Sequence, residues 1–303
     1  MCRIKKAGLI SLRYLPFIAV IFVFLKYYDY RSLSFPRITD WLTLAFSLVF
    51  LLAVFLLRTM LWWYVLRAGQ IHISFREAFA SRNIALLMKY IPGKVWTHVG
   101  TTGYLWNKGY VADKVFVLSI FAQCLSILAG LLLGSVGLYF LGPDILKHGS
   151  NIFLILFLIV FLGVFYFYKE RVGKKVRPFL QVLKSFDRKK LFWVLSLYAA
   201  HWIVLGFSFL LFFNALGFHL SWPVLFLQPL ANNLGILAVF APSGMGVREG
   251  AMVLYLSGLG VGAAHASYLA IVSRLWFLAV EVFLFVVAWL LGRSKNMTPD
   301  GER

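Results

Sequence analysis

The chain has 303 residues, of which 61% are hydrophobic and only 14% are charged. Soluble domains are about 45–50% apolar and about 25% charged, so a water-soluble globular protein is excluded. The aromatic content of 18% excludes a disordered chain, and two cysteines exclude a disulfide scaffold. The formal net charge of +19 comes from basic residues that gather between long apolar runs, which is typical of a polytopic membrane protein and not of a nucleic-acid-binding one.

Three apolar runs in the first half are long enough to be predicted as membrane-spanning helices. They cover residues 9–25, 41–57 and 115–141. The first is interpreted as an uncleaved helix and not as a signal peptide, because no small-residue cleavage site follows it. The second is predicted to end at Arg58, with Trp62 at the membrane interface.

The stretch from 73 to 114 differs from these runs, since charged residues recur in it and its apolar segments are short. Ser74 and Glu77 have the spacing of a capping box, which predicts the start of a helix. That helix is expected to stop at Pro92 and Gly93, because proline and glycine break helices. The stretch is therefore predicted to hold a broken helical segment.

Glycines inside the third run predict close helix packing, because small residues allow a neighbouring helix to approach. These are Gly130, Gly134 and Gly137.

The second half of the chain is predicted to contain two further clear spans, a weaker interrupted span, a short apolar piece and a final long span. The two clear spans cover residues 151–168 and 191–213, and the interrupted span covers 222–240. The short apolar piece covers 251–259, and the final span, which is also clear, covers 266–291.

The fold class predicted from these runs is all-α, a polytopic helical bundle with about six full spans and two broken or re-entrant segments. Lys and Arg are abundant at both termini, in 67–114 and in 169–190, so both termini are predicted to be cytoplasmic. We expect one transmembrane domain over 1–295 and a short cytoplasmic tail over 296–303. The basic 169–190 loop is expected to face anionic lipid headgroups.

The two broken segments resemble one another, and each is a short apolar helix stopped at proline and glycine with a basic residue beyond. Paired interruptions of this kind point to a binding site in transporter-like folds, although an ordinary interfacial turn is the simpler alternative. Polar residues gather around the second break. The candidate residues are Pro92, Gly93 and Lys94 at the first break, and Asn232, Asn233, Pro242, Gly244, Gly246, Arg248 and Glu249 at the second.

Two ionisable residues, Arg274 and Glu281, lie within the last apolar run. A charge at membrane depth is costly, so both are expected to face the bundle interior or a wet cavity and to belong to the site. The alternative is a fixed ion-pair network that only holds helices together. The candidate partners are Glu249 for Arg274, and Arg248 or Lys94 for Glu281.

No metal and no cofactor is expected. The six histidines are scattered, without a metal-ligand pair on one helical face. The glycines that begin at Gly244 do not form a dinucleotide-binding fingerprint, because Glu249 stands where the sixth position requires glycine. No catalytic residue is assigned.

The two breaks carry a resemblance to a known family. Residues 89–96, Lys-Tyr-Ile-Pro-Gly-Lys-Val-Trp, and 241–250, Ala-Pro-Ser-Gly-Met-Gly-Val-Arg-Glu-Gly, together with Arg274 and Trp276, resemble the lysylphosphatidylglycerol synthase transmembrane-domain family, also called the flippase-like domain family. Its members include the lipid-translocating half of aminoacyl-phosphatidylglycerol synthases and stand-alone proteins associated with cell-envelope glycans. The resemblance implies re-entrant helices around a lipid-headgroup cavity.

The chain departs from that family in two respects. Ala122-Gln123-Cys124 stands where the family often carries a glutamate. The sequence also has no aminoacyl-transferase domain after the last apolar run, so it is expected to be a stand-alone member, and a partner enzyme is expected to make the lipid.

Three functions remain open on these grounds. The first is a translocase for an anionic lipid or a lipid-linked cell-envelope glycan intermediate, with Lys94, Arg248 and Arg274 neutralising the phosphate. The second is a membrane transferase acting on a polyprenyl-phosphate sugar, with Glu249 or Glu281 as general base. The third is a non-catalytic subunit of an envelope-synthesis complex. Each predicts an integral protein of a bacterial or archaeal cytoplasmic membrane, without a nucleic-acid partner.

Overall fold

The computed structural model describes residues 37–91, 95–140, 186–238 and 244–293, and every regular element within them is helical. The predicted all-α class is therefore confirmed. The helices are α1 (Trp41–Ala68), α2 (Phe75–Ile84), α3 (Trp96–Trp106), α4 (Ala112–Tyr139), α5 (Arg188–Ala215), α6 (Leu227–Leu237), α7 (Val247–Gly258) and α8 (Ala263–Arg293), with 3-10 turns at Leu86–Tyr90 and Trp222–Phe226.

Four of these helices, α1, α4, α5 and α8, are long and apolar enough to cross a membrane. They correspond to four of the six predicted spans. The other two predicted spans, 9–25 and 151–168, lie outside the described residues, as does most of the basic 169–190 loop.

The predicted end of the second span is wrong. Helix α1 continues past Arg58 to Ala68, and Trp62 is packed inside the protein, where it is only 1% exposed. Its indole N–H donates a hydrogen bond to the hydroxyl of Ser81 on α2, at 3.1 Å. The charge of Arg58 therefore lies inside a long apolar helix, and the aromatic residues after it pack in the core.

The outer surface of the long helices is apolar. Large hydrophobic side chains are exposed along their length, including Phe46, Val49, Leu132, Phe192, Leu275 and Phe283. Exposed apolar patches of this extent mark a membrane-facing surface. Together with the four spans, they show that this is an integral membrane protein.

The described helices repeat one order of elements. A long helix is followed by a short helix with an adjoining 3-10 turn, then by a second short helix and a second long helix. The order α1-α2-α3-α4 is repeated as α5-α6-α7-α8. In both halves the interruption between the two short helices falls at one of the proline-glycine breaks identified in the sequence.

The first long helices of the two halves, α1 and α5, run antiparallel. The amide of Thr39, before α1, donates to the carbonyl of Ala215 at the end of α5, at 2.9 Å. Further along, the hydroxyl of Ser208 donates to the carbonyl of Ser47 at 3.1 Å. The beginning of α1 therefore lies beside the end of α5, so these two equivalent helices are inverted relative to one another.

The short helices pack across the two halves. Helix α6 lies on α4, where a Cβ atom added to Gly130 would lie 2.1 Å from the side-chain nitrogen of Asn233. A Cβ atom on Gly137 would lie 2.4 Å from Cβ of Phe226. The close approach predicted from the glycines is therefore confirmed. In the other half, the guanidinium of Arg76 in α2 donates to the carbonyl of Leu291 in α8, at 2.5 Å.

The predicted capping box begins α2 and gives a testable stability effect. The amide of Glu77 donates to the Ser74 hydroxyl oxygen at 3.3 Å, and the Glu77 carboxylate accepts from the Ser74 amide at 3.2 Å. We expect Ser74→Ala to lower the free energy of unfolding by about 1 kcal/mol, because an orphan helix amide loses its acceptor.

The measurement is the unfolding midpoint in mild detergent, with Ser135→Ala as control. The Ser135 hydroxyl is exposed and only bonds back to its own helix, at the carbonyl of Leu132. The free energy of unfolding of Ser135→Ala should stay within about 0.5 kcal/mol of that of wild type. Equal midpoints for Ser74→Ala and wild type would show that the cap contributes nothing.

Candidate functional site

A cavity of about 270 Å³ lies between the two halves. Every helix from α1 to α8 contributes at least one residue to its wall. The lining residues are Val54, Phe55, Arg58, Arg82, Leu86, Lys89, Thr97, His98, Gln123, Ser126, Tyr198, His201, Trp202, Leu205, Asn232, Ile236, Arg248 and Phe277.

Equivalent positions of the two halves meet at this cavity. Counted from the starts of α1 and α5, Arg58 corresponds to Leu205. Counted from the starts of α3 and α7, Thr97 corresponds to Arg248. Both members of each pair line the cavity, which therefore lies at the junction of the repeated units.

Three arginines in the wall, Arg58, Arg82 and Arg248, have no ion pair to a carboxylate among the described residues. Arg82 is 6% exposed and Arg248 is 5% exposed. Two guanidinium nitrogens of each of these two find no hydrogen-bond partner in the described part of the chain. A buried charge without a partner costs several kcal/mol, so this arrangement favours an anion between the arginines.

A fourth cation of the wall, Lys89, is neutralised by Glu281 of α8. The ammonium of Lys89 contacts one carboxylate oxygen, and the hydroxyl of Tyr90 donates to the other at 3.0 Å. Glu281 is fully buried. The expected partner Arg248 does not form this pair, and the other expected partner, Lys94, lies outside the described residues.

The expected pairing of Arg274 with Glu249 is present. The guanidinium of Arg274 donates to the Glu249 carboxylate at 2.5 Å, which joins α8 to α7. The second oxygen of Glu249 accepts from the amide of Gly246 at 2.7 Å and so caps the start of α7. Both ionisable residues of the last span are therefore in ion pairs that join α8 to the broken segments.

The second break requires glycine at two positions. Gly244 has φ +71° and Gly246 has φ +85°, a left-handed conformation that glycine adopts without strain. A Cβ atom on Gly244 would also lie 2.5 Å from the Cα atom of Gly235 on α6. The other predicted break residues, Pro92, Gly93 and Pro242, lie outside the described residues.

The structure places the remaining candidates in different roles. Arg248 and Asn232 line the cavity, with Asn232 donating to the side-chain oxygen of Gln228 at 3.0 Å. Asn233 is buried beside Gly130 and donates to the carbonyl of Pro229 at 2.6 Å. Glu249, Arg274 and Glu281 are not part of the wall and instead tie helices together behind it.

Sequence reasoning did not select Arg58, Arg82 or Lys89 as site residues, although they are three of the four Lys and Arg residues of the wall. It also did not select His98, whose Nδ1 lies 3.0 Å from the hydroxyl oxygen of Ser119. Within the described residues, no group of three or more His, Cys, Asp or Glu side chains could hold a metal ion.

The wall combines guanidinium groups with aromatic rings. The guanidinium carbon of Arg248 lies 5.6 Å from the centre of the Phe277 ring, an arrangement that holds the cation in place by cation–π attraction. Guanidinium groups bind phosphate oxygens through two parallel hydrogen bonds. The cavity therefore has the chemistry of a site for a phosphate or a similar oxyanion.

Neither the curated proteins nor the solved structures gave a significant match to the chain. The family model described as "Lysylphosphatidylglycerol synthase TM region" matches residues 9–291, a range that begins before α1 and ends in the last turn of α8. The match, the helices that could span a membrane and the paired breaks agree with one another. The chain belongs to the lysylphosphatidylglycerol synthase TM region family, whose members are flippase-like membrane domains.

Proposed function

We propose that the protein is a translocase for a lipid, or a lipid-linked cell-envelope glycan intermediate, with an anionic headgroup that binds in the cavity. The observation that carries the proposal is the set of three arginines, Arg58, Arg82 and Arg248, without carboxylate partners among the described residues. An anionic headgroup would supply the missing acceptors while its hydrocarbon tails stay in the bilayer.

The repeated order of helices, with α1 and α5 antiparallel, supports a transport mechanism. Inverted halves that meet at a central site are typical of transporters that expose the site to either side of the membrane in turn. Here the cavity lies where equivalent positions of the halves meet. In the proposed mechanism the two broken segments are re-entrant, and they reach the site from opposite faces of the membrane.

In such a movement, helix α8 would be the element to which both broken segments are attached. It holds the first broken segment through the Lys89–Glu281 pair and the second through the Arg274–Glu249 pair. Arg274 and Glu281 are about two helical turns apart, or roughly 10 Å along the axis. A change in access would have to move one segment relative to α8 while the other stays attached.

The geometry gives less support to a membrane transferase. Its general base would be Glu249 or Glu281, and each of these carboxylates already accepts hydrogen bonds from a cation and from a second donor. Both carboxylates are therefore already occupied by structural contacts and are not directed at a substrate in the cavity.

We place the protein in a bacterial or archaeal cytoplasmic membrane with both termini in the cytoplasm, on the basis of the distribution of Lys and Arg. Because the proposed activity moves a lipid and does not make it, the substrate would come from a separate lipid-synthesising enzyme.

The test is transport in reconstituted vesicles with a panel of headgroups, comparing wild type with Arg82→Gln. We expect a loss of at least about tenfold in rate, because charge-assisted hydrogen bonds contribute roughly 1.5–3 kcal/mol. Since Arg82 is buried without a counter-charge, the unloaded variant should be as stable as wild type or more stable.

The matched control is Arg67→Gln. Arg67 is exposed near the end of α1 and lies over the Trp63 ring at 4.5 Å, away from the cavity. The Arg67→Gln variant should transport each headgroup at the rate of wild type. If wild type moves no headgroup of the panel faster than protein-free vesicles, the translocase proposal fails.

A further inference from the structure

The charges of the wall do not balance, and the size of the imbalance carries information about the ligand. Lys89 is paired with Glu281, so it adds no net charge. Arg274 and Glu249 also cancel. Arg58, Arg82 and Arg248 remain, three positive charges without an ion pair to a described carboxylate.

The short stretches between described residues do not restore the balance. Residues 92–94 and 239–243 contain no Asp or Glu in the sequence, and the first of them adds Lys94. Arg58 and Arg82 also line the same small cavity, so their like charges repel one another. A ligand with one negative charge would leave much of this repulsion in place.

From this imbalance we propose, on the basis of the proposed function, that the cavity selects a terminal phosphate with two or more negative charges, a phosphomonoester or a diphosphate, over a singly charged phosphodiester. A terminal phosphate presents three oxygens, and a diphosphate presents more, which is enough for several guanidinium groups to bind side by side. A phosphodiester has two free oxygens and a single charge, so it satisfies fewer of these donors.

The experiment measures equilibrium binding to the purified wild-type protein in mild detergent by titration calorimetry. Dioleoyl phosphatidic acid and dioleoyl phosphatidylglycerol have the same tails and differ at the phosphate, a monoester against a diester. We expect phosphatidic acid to bind at least about tenfold more tightly, because an added charge close to three cations interacts strongly with them. Equal affinities would overturn the proposal without the use of any variant.

Two further ligands separate the headgroup from the tail. Geranylgeranyl diphosphate should bind at least as tightly as phosphatidic acid, and inorganic pyrophosphate should bind more weakly because it has no tail. If pyrophosphate alone binds as tightly as the lipid, the charge selectivity stands, but the natural ligand is a free phosphate compound and the translocase proposal loses its substrate. If neither diphosphate binds, the charge selectivity is wrong.

Variants locate the selectivity. Arg58→Gln should reduce the preference for phosphatidic acid over phosphatidylglycerol about tenfold, whereas Arg67→Gln on the same helix should leave it unchanged. An unchanged preference in Arg58→Gln would place the discrimination outside this cavity. Transport of phosphatidylglycerol in vesicles, without selective binding of phosphatidic acid, would overturn this inference while leaving the proposed translocase intact.

Discussion

A Glu281→Gln variant is expected to unfold with a free energy about 3 kcal/mol below that of wild type. The change removes the only carboxylate that contacts Lys89 among the described residues, and it does so at a fully buried position. The ammonium of Lys89 is then left without a counter-charge, and Tyr90 loses an ionised acceptor. The unfolding midpoint in mild detergent, followed by tryptophan fluorescence, gives the measurement.

Two comparisons make this result specific. Asp187→Asn is the control, because this 62% exposed carboxylate lies 3.9 Å from Lys190, and such surface pairs contribute less than about 1 kcal/mol. A Lys89→Met/Glu281→Met double variant should recover most of the lost stability, since two apolar side chains can replace a buried pair. A Glu281→Gln variant as stable as Asp187→Asn would show that the pair does not hold the first broken segment on α8.

Gly206→Ala is expected to destabilise the protein by at least about 2 kcal/mol. Gly206 of α5 lies against the 3-10 turn Trp222–Phe226, and an added Cβ atom would lie 2.1 Å from the carbonyl oxygen of Leu225 and 2.6 Å from its Cα. These are backbone atoms, so the turn has to move as a whole. The displacement would extend to α6, which follows the turn directly.

The control for Gly206→Ala is Gly103→Ala in α3, where no atom lies within 4 Å of the added Cβ. Alanine favours a helix over glycine by roughly 0.5–1 kcal/mol, so the control should be slightly more stable than wild type. We therefore expect the same substitution to lower the free energy of unfolding at Gly206 and to raise it slightly at Gly103. A Gly206→Ala protein with the stability of wild type would contradict the close packing of α5 on the turn.

Features that depend on sequence runs and on helical spacing could be predicted. Four spans followed from hydropathy, because a helix in lipid must present apolar side chains along its whole length. Contacts at Gly130 and Gly137 followed from small residues on one helix face. The Arg274–Glu249 pair followed from the cost of an isolated charge at membrane depth.

The arginines of the cavity could not be predicted in the same way. Arg58 follows an apolar run and precedes aromatic residues, a pattern that also marks the end of a span, and only the packing of Trp62 on Ser81 shows that the helix continues. Arg82 belongs to a short polar helix, where a charge is unremarkable in sequence. Their convergence results from helices of both halves meeting, and a single sequence does not contain that information.

The unpaired arginines have a consequence for how the membrane potential acts on the protein. Moving one elementary charge through the field costs about 2.3 kcal/mol per 100 mV, so a wall with three uncompensated positive charges resists displacement against the field when it is empty. A bound dianion cancels two of the three charges, so the same displacement depends on voltage only about a third as strongly. In the proposed transport cycle, the potential would therefore act about three times more strongly on the empty protein than on the loaded one, and it would accelerate or slow the return of the empty protein according to its sign.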